Sequence, residues 1–355
     1  MEEIGQDNLL AHRSGEYTVT MGSNSTKEES IFDIPVPGDS SMFGSFQILL
    51  NTAIGSGTLM VPYAYTAGIG MELAISAAFC FIAYMALYFL IEASQYSNSY
   101  DYTGIFKSCF GEKPLWILNL MIFLVQFGTV TIYCLWNGRL LNHLVGSSHP
   151  LIGSTAFWSF LAATFCVFPL TLFRSIAKLE NFASISTFFI CLLIIHAFYW
   201  LIKDVNDGYF DKTAPAAFNF NKYEVIISAL SVNCMAFNCH LNLFSCLEHM
   251  NNCTLRRAHK LCGITVLVSF ALYNLFGLFS YLDLRDKIGP GSSLEFYERP
   301  NWFTKLTIVG VVIVLIVSSP LVVWTARRGF NNLIWKDKPM TPLRWVCLGG
   351  GLVLL

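Results

Sequence analysis

The sequence predicts an all-α polytopic membrane protein, from its composition and from the length of its apolar runs. Hydrophobic residues make up 54% of the 355 residues, charged residues only 13%, and the mean hydropathy is +0.54. A water-soluble surface needs more charge than that. From about residue 43 onward, apolar stretches of roughly 17 to 30 residues alternate with short polar loops, and helices of this length cross about 30 Å of hydrocarbon. A transmembrane β-barrel is not indicated, because runs such as 308–317 show no alternation of polarity.

The apolar runs follow a polar N-terminal segment. Residues 1–42 are rich in Glu, Ser, Asn and Gly and have no apolar period, so we predict a disordered cytoplasmic tail followed by a transmembrane domain over 43–355. We number the predicted spans in chain order. They cover residues 45–68, 73–96, 115–144, 157–173, 180–202, 224–249, 260–282 and 304–326, and part of a ninth span starts near Leu343.

Charge and motifs exclude several classes of function. Lys plus Arg (22) nearly balances Asp plus Glu (23), so no basic field attracts nucleic acid. The eleven cysteines lie mostly inside apolar runs without CxxC spacing, so neither a metal centre nor a disulfide framework is expected. The chain has no HExxH or GxSxG motif and no paired carboxylates, which argues against an enzyme. The loops on the tail side carry the larger share of basic residues, and this places the tail in the cytoplasm.

The first span contains glycine and proline where a regular helix would avoid them. Gly55, Gly57 and Pro62 fall within fifteen residues of apolar sequence, 51–65. One interpretation is close helix packing, for which small residues are used in membranes. The other is an interrupted helix whose freed backbone groups face a cavity. The amides around Gly55, Ser56, Gly57 and Thr58 would then bind a carboxylate, and the carbonyls before them an ammonium or a cation.

A second irregular segment occurs in the sixth span. Within residues 231–245 an apolar run carries Asn233, Asn238, His240 and Asn242. His240 is either a neutral histidine bonded to another helix or a group that exchanges a proton, since ionisable groups inside membranes are costly. We include Phe237, Asn238 and His240 in the substrate site. Interruptions in spans one and six are typical of an inverted-repeat transporter.

These segments resemble the amino acid/auxin permease family and, within it, the sodium-coupled neutral amino acid transporters. The resemblance extends from about residue 43 to 335. The sequence of span one is similar to the family motif Asn-x-x-x-Gly-Ser-Gly-x-Leu-x-x-Pro-Tyr-Ala, and that of span six is similar to the family motif Phe-x-Cys-His-x-Asn-x-Phe. In span eight it includes Pro320-Leu321, Arg327 and Leu333-Ile334. The motif positions in spans one and six are Asn51, Gly55, Ser56, Gly57, Leu59, Pro62, Tyr63, Ala64, Phe237, Cys239, His240, Asn242 and Phe244.

The resemblance implies a LeuT-type inverted-repeat transporter fold of five plus five helices and an eleventh span, with broken first and sixth helices. It implies an ion site that uses oxygens of span one and the hydroxyl two residues before the proline of span eight. The ion-binding candidates are Asn51, Ala53, Ser318 and Ser319. For the two serines, a helix–helix hydrogen bond is an equally good interpretation. Since the sequence ends within the ninth span, we expect the fold to be C-terminally incomplete.

We interpret the chain as a secondary active transporter of neutral amino acids in a plasma membrane or a lysosomal or vacuolar membrane. The expected partners are an amino acid and the lipid bilayer. No cofactor is expected beyond a coupling ion, Na⁺ or H⁺. Sodium is favoured because the Asn51 pattern belongs to the sodium-coupled branch. The alternative is an amino acid sensor or regulatory membrane protein that binds substrate without transport.

Overall fold

A computed structural model describes residues 38, 40–146, 149, 152–172, 180–209, 215–220, 223–297, 301–335 and 341–354. Across these ranges the regular structure is helical, apart from an isolated bridge between Ser40 and Met250. The spans are Met42–Ala53 with Ser56–Ala64 (one), Ile69–Ser97 (two), Leu115–Val145 (three), Thr155–Leu170 (four), Glu180–Asn206 (five), Tyr223–Ala236 with Leu243–His249 (six), Leu255–Leu284 (seven), Trp302–Trp335 (eight) and Pro342–Leu354 (nine).

Within the described ranges, six helical segments are long and apolar enough to cross a membrane, and the chain is a multi-pass membrane protein. These segments are spans two, three, five, six, seven and eight. Span one is divided into two short helices, span four is a shorter apolar helix, and span nine begins as predicted. An additional short helix, Tyr102–Phe110, lies between spans two and three, where no helix was predicted. Asp101 begins it by accepting a hydrogen bond from the Thr103 amide.

Span one breaks at the glycine pair. Its first half ends at Ala53. Ile54 (φ −81°, ψ 72°) and Gly55 (φ −103°, ψ −149°) both have non-helical backbone angles, and the second half starts at Ser56. The interrupted-helix interpretation is therefore confirmed at the level of the backbone. Pro62 lies inside the second half without ending it.

Span six breaks at the second irregular segment. The helix stops at Ala236, residues 237–239 are irregular, and a single 3₁₀ turn over His240–Asn242 leads into Leu243–His249. The Phe237 amide still donates to the Asn233 carbonyl at 3.0 Å, so the first half is closed normally before the chain changes direction. Both predicted interruptions are present.

Span eight is longer than predicted and continues to Trp335 instead of ending at residue 326. Arg327, which is 1% exposed, explains the extension. Its Nη1 donates to the Thr171 carbonyl at 2.7 Å, and its guanidinium lies 4.4 Å from the ring centroid of Trp345. The Arg327 side chain is thus covered by Thr171, at the end of span four, and by Trp345 of span nine, and it does not have to face lipid.

The main chain before span one packs against the loop after span six. The Ser40 amide donates to the His249 carbonyl at 2.9 Å, and the Asn251 amide donates to the Ser40 carbonyl at 2.8 Å. Ser40 and Met250 are both fully buried. Ser40 was assigned to the tail by composition, yet its backbone is part of the packed domain. Of the rest of the predicted tail, Ser41 and Met42 already form the start of span one, whereas residues 1–37 and 39 lie outside the described residues. We call the membrane side that holds Ser40 the tail side and the opposite one the far side.

Candidate functional site

The breaks of spans one and six lie against each other. A Cβ placed on Gly57 would lie 2.8 Å from the Ala236 Cα and 3.0 Å from its nitrogen, both closer than normal van der Waals contact. Only glycine lets the second half of span one approach span six this closely. Gly55 is equally confined, because a Cβ there would collide with the Tyr133 hydroxyl of span three. Both glycines therefore have a packing role in addition to any role in binding.

Tyr273 of span seven joins the two breaks. Its hydroxyl oxygen lies 2.7 Å from the carbonyl oxygen of Ala53 and 2.8 Å from that of Ala236. These are the last carbonyls of the first halves of spans one and six, which a helix end leaves without internal donors. A hydroxyl has one hydrogen, so Tyr273 shares it between two acceptors. The ring of Tyr273 also packs edge-on against Phe237, at 5.3 Å between centroids.

A cleft opens beside the two breaks. It contains about 360 Å³ not filled by protein atoms, a volume that includes open solvent. Four spans line it. The lining residues are Thr52, Ala53, Gly55 and Gly57 of span one, Gln126, Thr129 and Tyr133 of span three, Met235, Asn238 and Asn242 of span six, and Val322 of span eight.

The backbone amides of the first break are only partly available to a ligand. The Gly55 amide donates to the Ala53 carbonyl at 2.9 Å, and the Thr58 amide donates to the Gly55 carbonyl at 3.2 Å. The first two amides of a helix, here those of Ser56 and Gly57, have no acceptor within it. Of the four predicted carboxylate-binding residues, these two therefore have amides without a main-chain acceptor among the described residues, at the positive end of a nine-residue helix.

The predicted residues of span six separate into two groups. Asn238 lines the cleft, whereas Phe237 packs behind it on Tyr273. His240 does not line the cleft, and its Nε2 lies 3.3 Å from the Ala83 carbonyl of span two. The 3₁₀ turn rotates His240 away from the cleft and brings Asn242 towards it. The Thr325 hydroxyl of span eight donates to Asn242 Oδ1 at 2.6 Å.

The predicted ion ligands of spans one and eight are in contact. The Ser318 hydroxyl lies 3.0 Å from Asn51 Oδ1 and 2.8 Å from the Val314 carbonyl, and all three groups are buried. Asn51 Nδ2 is also buried and has no acceptor within the described part of the chain. The Ser319 hydroxyl donates to the Leu315 carbonyl at 2.7 Å.

The fourth ion candidate, Ala53, is already engaged. Its carbonyl oxygen accepts hydrogen bonds from the Gly55 amide and from Tyr273. A cation at this oxygen would have to replace one of the two donors.

Span three contributes cleft residues that the sequence interpretation missed. Gln126, Thr129 and Tyr133 recur at i, i+3 and i+7 and therefore share one face of the helix. Three polar side chains on one face in the middle of a largely apolar span are a readable signal of a polar cavity. Thr52, Met235 and Val322 carry no such signal.

The described part of the loop between spans seven and eight packs against spans one and three. Its 3₁₀ turn Ser293–Phe296 contacts the second half of span one and the end of span three, and Leu294 is fully buried. Burial raises the pKa of Glu295 in this turn above its ordinary value, while Arg139 and His143 of span three act in the opposite direction. The turn brings a partly desolvated carboxyl close to the end of span three.

Comparison with known proteins agrees with this arrangement. The family model for transmembrane amino acid transporter proteins matches residues 38–353. Sodium-coupled neutral amino acid transporter 7 of Danio rerio is 22% identical over 311 residues, covering 83% of this chain and 65% of its own length. Vacuolar amino acid transporter 5 of Schizosaccharomyces pombe is 23% identical over 309 residues, covering 84% of this chain and 70% of its own length. The chain thus spans about two thirds of the length of these curated relatives.

Solved structures share the fold at low sequence identity. A Na⁺-coupled sialic acid symporter in a substrate-bound outward-open state has a TM-score of 0.62 and 12% identity, covering 99% of this chain and 77% of its own. MhsT in complex with L-phenylalanine has a TM-score of 0.61 and 16% identity, covering 90% and 79%. The predicted LeuT-type fold is confirmed.

Proposed function

The chain belongs to the family of transmembrane amino acid transporter proteins, and on that premise we propose that it carries neutral amino acids across a membrane by secondary active transport. The observation that supports this best is the apposition of two helix breaks beside one cleft. Discontinuous helices facing each other near the membrane midplane form the substrate and ion sites of transporters that work by alternating access. The relatives are named as amino acid transporters, which agrees with this assignment.

The cleft suits a zwitterion. The substrate carboxylate would accept hydrogen bonds from the amides of Ser56 and Gly57 and be stabilised by the dipole of the second half of span one. Its ammonium group would lie towards side-chain and main-chain oxygens of the same cleft, among them Asn238 and Thr129. Close approach to this backbone needs glycine, which has no side chain to intervene.

The lining of the cleft favours neutral substrates. No charged side chain is found among the described residues that line it. A charged substrate side chain would lose its hydration there without gaining an ion pair, which costs several kcal/mol. The apolar side chains of Met235 and Val322 provide the contact that an uncharged substrate side chain can use.

We assign sodium coupling to the contact between Asn51 and Ser318. Asn51 Nδ2 is buried without an acceptor in the part of the chain that the structure describes, which costs about 1–3 kcal/mol. Half a turn of the amide moves the unpaired position from nitrogen to oxygen: Nδ2 then donates to the Ser318 oxygen, whose own hydrogen goes to the Val314 carbonyl. Oδ1 then lies where Nδ2 was, buried and without a partner among the described residues. An amide oxygen in this position is a suitable ligand for a small hard cation.

Uptake of labelled neutral amino acids into proteoliposomes containing the full chain tests this proposal. A transporter gives flux that depends on the sodium gradient, whereas a sensor binds amino acid without flux. Asn51→Ala should raise the sodium concentration for half-maximal uptake about 10-fold or more, because it removes an interaction with a charged group. Asn206→Ala, at the exposed end of span five, is the matched control. Uptake that is unaffected by replacing sodium with choline would exclude sodium coupling.

A further inference from the structure

Glu72 is a buried carboxyl that the proposed substrate and ion sites do not use. It lies in the first turn of span two and is 0% exposed. Its Oε1 accepts a hydrogen bond from Asn233 Nδ2 of span six at 2.7 Å. Its Oε2 is buried and has no partner in the ranges that the structure describes. The same Asn233 nitrogen also donates to the Ala229 carbonyl at 2.9 Å, so Asn233 is held in place by its own helix.

Among the residues that the structure describes, no positively charged group contacts Glu72. Tyr65, at the end of span one, is the titratable group that interacts with it electrostatically, and the Tyr65 hydroxyl is bonded to Asn274 Oδ1 of span seven at 2.6 Å. Ser76, one turn further along span two, accepts from Asn274 Nδ2 at 3.0 Å. The neighbouring network is therefore neutral and already satisfied.

The other titratable groups on the helices packed against span two do not contact Glu72 among the described residues. His240 contacts span two at the Ala83 carbonyl, and His259 of span seven is 3.0 Å from Glu92, both several turns nearer the tail side. Glu224 begins span six but is exposed, and Asp283 of span seven interacts with Asp204, Tyr297 and Lys287. The residues of 215–220 that cap the start of span two carry no charge.

This environment accommodates a carboxylic acid but not a carboxylate. An ionised carboxyl buried without a cation costs several kcal/mol, whereas the neutral acid needs only hydrogen-bond partners. One oxygen has its donor, and protonation of the other removes the uncompensated charge. The position is also sensitive to motion, because Asn233 lies one turn before the break at residues 237–239.

We propose that Glu72 is a proton-binding site, protonated in the arrangement described and releasing its proton to water when the first half of span six moves away from span two. The proton then enters or leaves as hydronium, and no other reactant is needed. A role for this proton in transport rests on the proposed function. Proton binding itself does not, because it follows from the burial of a carboxyl that contacts no cation among the described residues.

Infrared spectroscopy of the purified full-length chain tests proton binding without transport. The carboxylic acid band of wild type should lose one component in Glu72→Gln, which keeps a carbonyl to accept from Asn233. Glu92→Gln, a partly exposed glutamate on the same helix, should retain that component. If Glu72→Gln fails to fold, Asn233→Ala provides a second measurement, because loss of the donor should move the disappearance of the band to higher pH. A wild-type spectrum in which Glu72 contributes only carboxylate bands from about pH 5 to 8 overturns the proposal.

Uptake measurements test the role of the proton. Amino acid uptake by wild type should vary with pH over the range in which the Glu72 band titrates, and in Glu72→Gln this variation should be lost. Unchanged pH dependence in Glu72→Gln would contradict a role in transport. Absence of uptake by wild type at every pH would refute the proposed function, and the infrared result would still decide proton binding.

Discussion

Replacing Gly57 by alanine adds one methyl group at the closest approach of the two helix breaks. The new Cβ would lie 2.8 Å from the Ala236 Cα and 3.0 Å from its nitrogen. Carbon atoms in contact are normally about 3.5–4.0 Å apart, so the breaks would have to separate by roughly 0.5–1 Å. The neighbouring atoms belong to backbone and cannot rotate out of the way.

The cost follows from this overlap. Overpacking by one methylene destabilises a well-packed core by about 1–3 kcal/mol. If binding requires the breaks to be apposed, as the proposed site does, the same energy weakens amino acid binding about 5- to 150-fold. Gly128→Ala is the matched control, because no atom lies within 4 Å of the Cβ that it would add to span three. The control should bind normally, and its helix gains up to about 1 kcal/mol from the better propensity of alanine.

Binding of a labelled neutral amino acid to purified protein, together with the unfolding temperature in detergent, measures both effects. We expect Gly57→Ala to lose affinity and to unfold at a lower temperature, while Gly128→Ala loses neither. A Gly57→Ala variant with the affinity and unfolding temperature of wild type would refute the reasoning about the apposed breaks.

Two further substitutions test other parts of the structure. Tyr273→Phe should lower the free energy of unfolding by about 1–3 kcal/mol, because the carbonyl of Ala236 loses its donor. The control is Tyr96→Phe, at a side chain that is 88% exposed, and it should have no effect on the unfolding temperature. Burial raises the pKa of Glu295 above the ordinary value of 4.5, so the folded state binds this proton more tightly than the unfolded chain does. The stability that comes from this proton is lost as the pH rises through the pKa of Glu295 in the folded state. Glu295→Gln should therefore reduce the decline in unfolding temperature above about pH 4.5, and an unchanged slope would contradict this account.

The helix breaks could be predicted because they leave composition signals. Gly55 and Gly57 interrupt an apolar run, and Asn238 and His240 interrupt another, so both positions are visible without a structure. The direction in which each side chain points could not be predicted. The orientation of His240 depends on one 3₁₀ turn, which directs it to span two and places Asn242 at the cleft.

The other differences between the predicted and the observed structure depend on contacts with distant parts of the chain. The end of span eight was predicted at the first charged residues, but Arg327 is buried by partners from two other spans, which no local pattern reveals. Glu72 lies just outside the predicted second span and resembles an interfacial acid in sequence. Its burial depends on Asn233, a residue far away in the chain.

The two hydrogen bonds between Ser40 and the segment His249–Asn251 have a mechanical consequence. They tie the start of the first broken helix to the end of the second, on the same side of the membrane. Separating these ends would break two main-chain hydrogen bonds, at a net cost of about 1 kcal/mol each. The two hydrogen bonds therefore favour movement of the tail-side halves of spans one and six together, through a connection that lies outside the cleft.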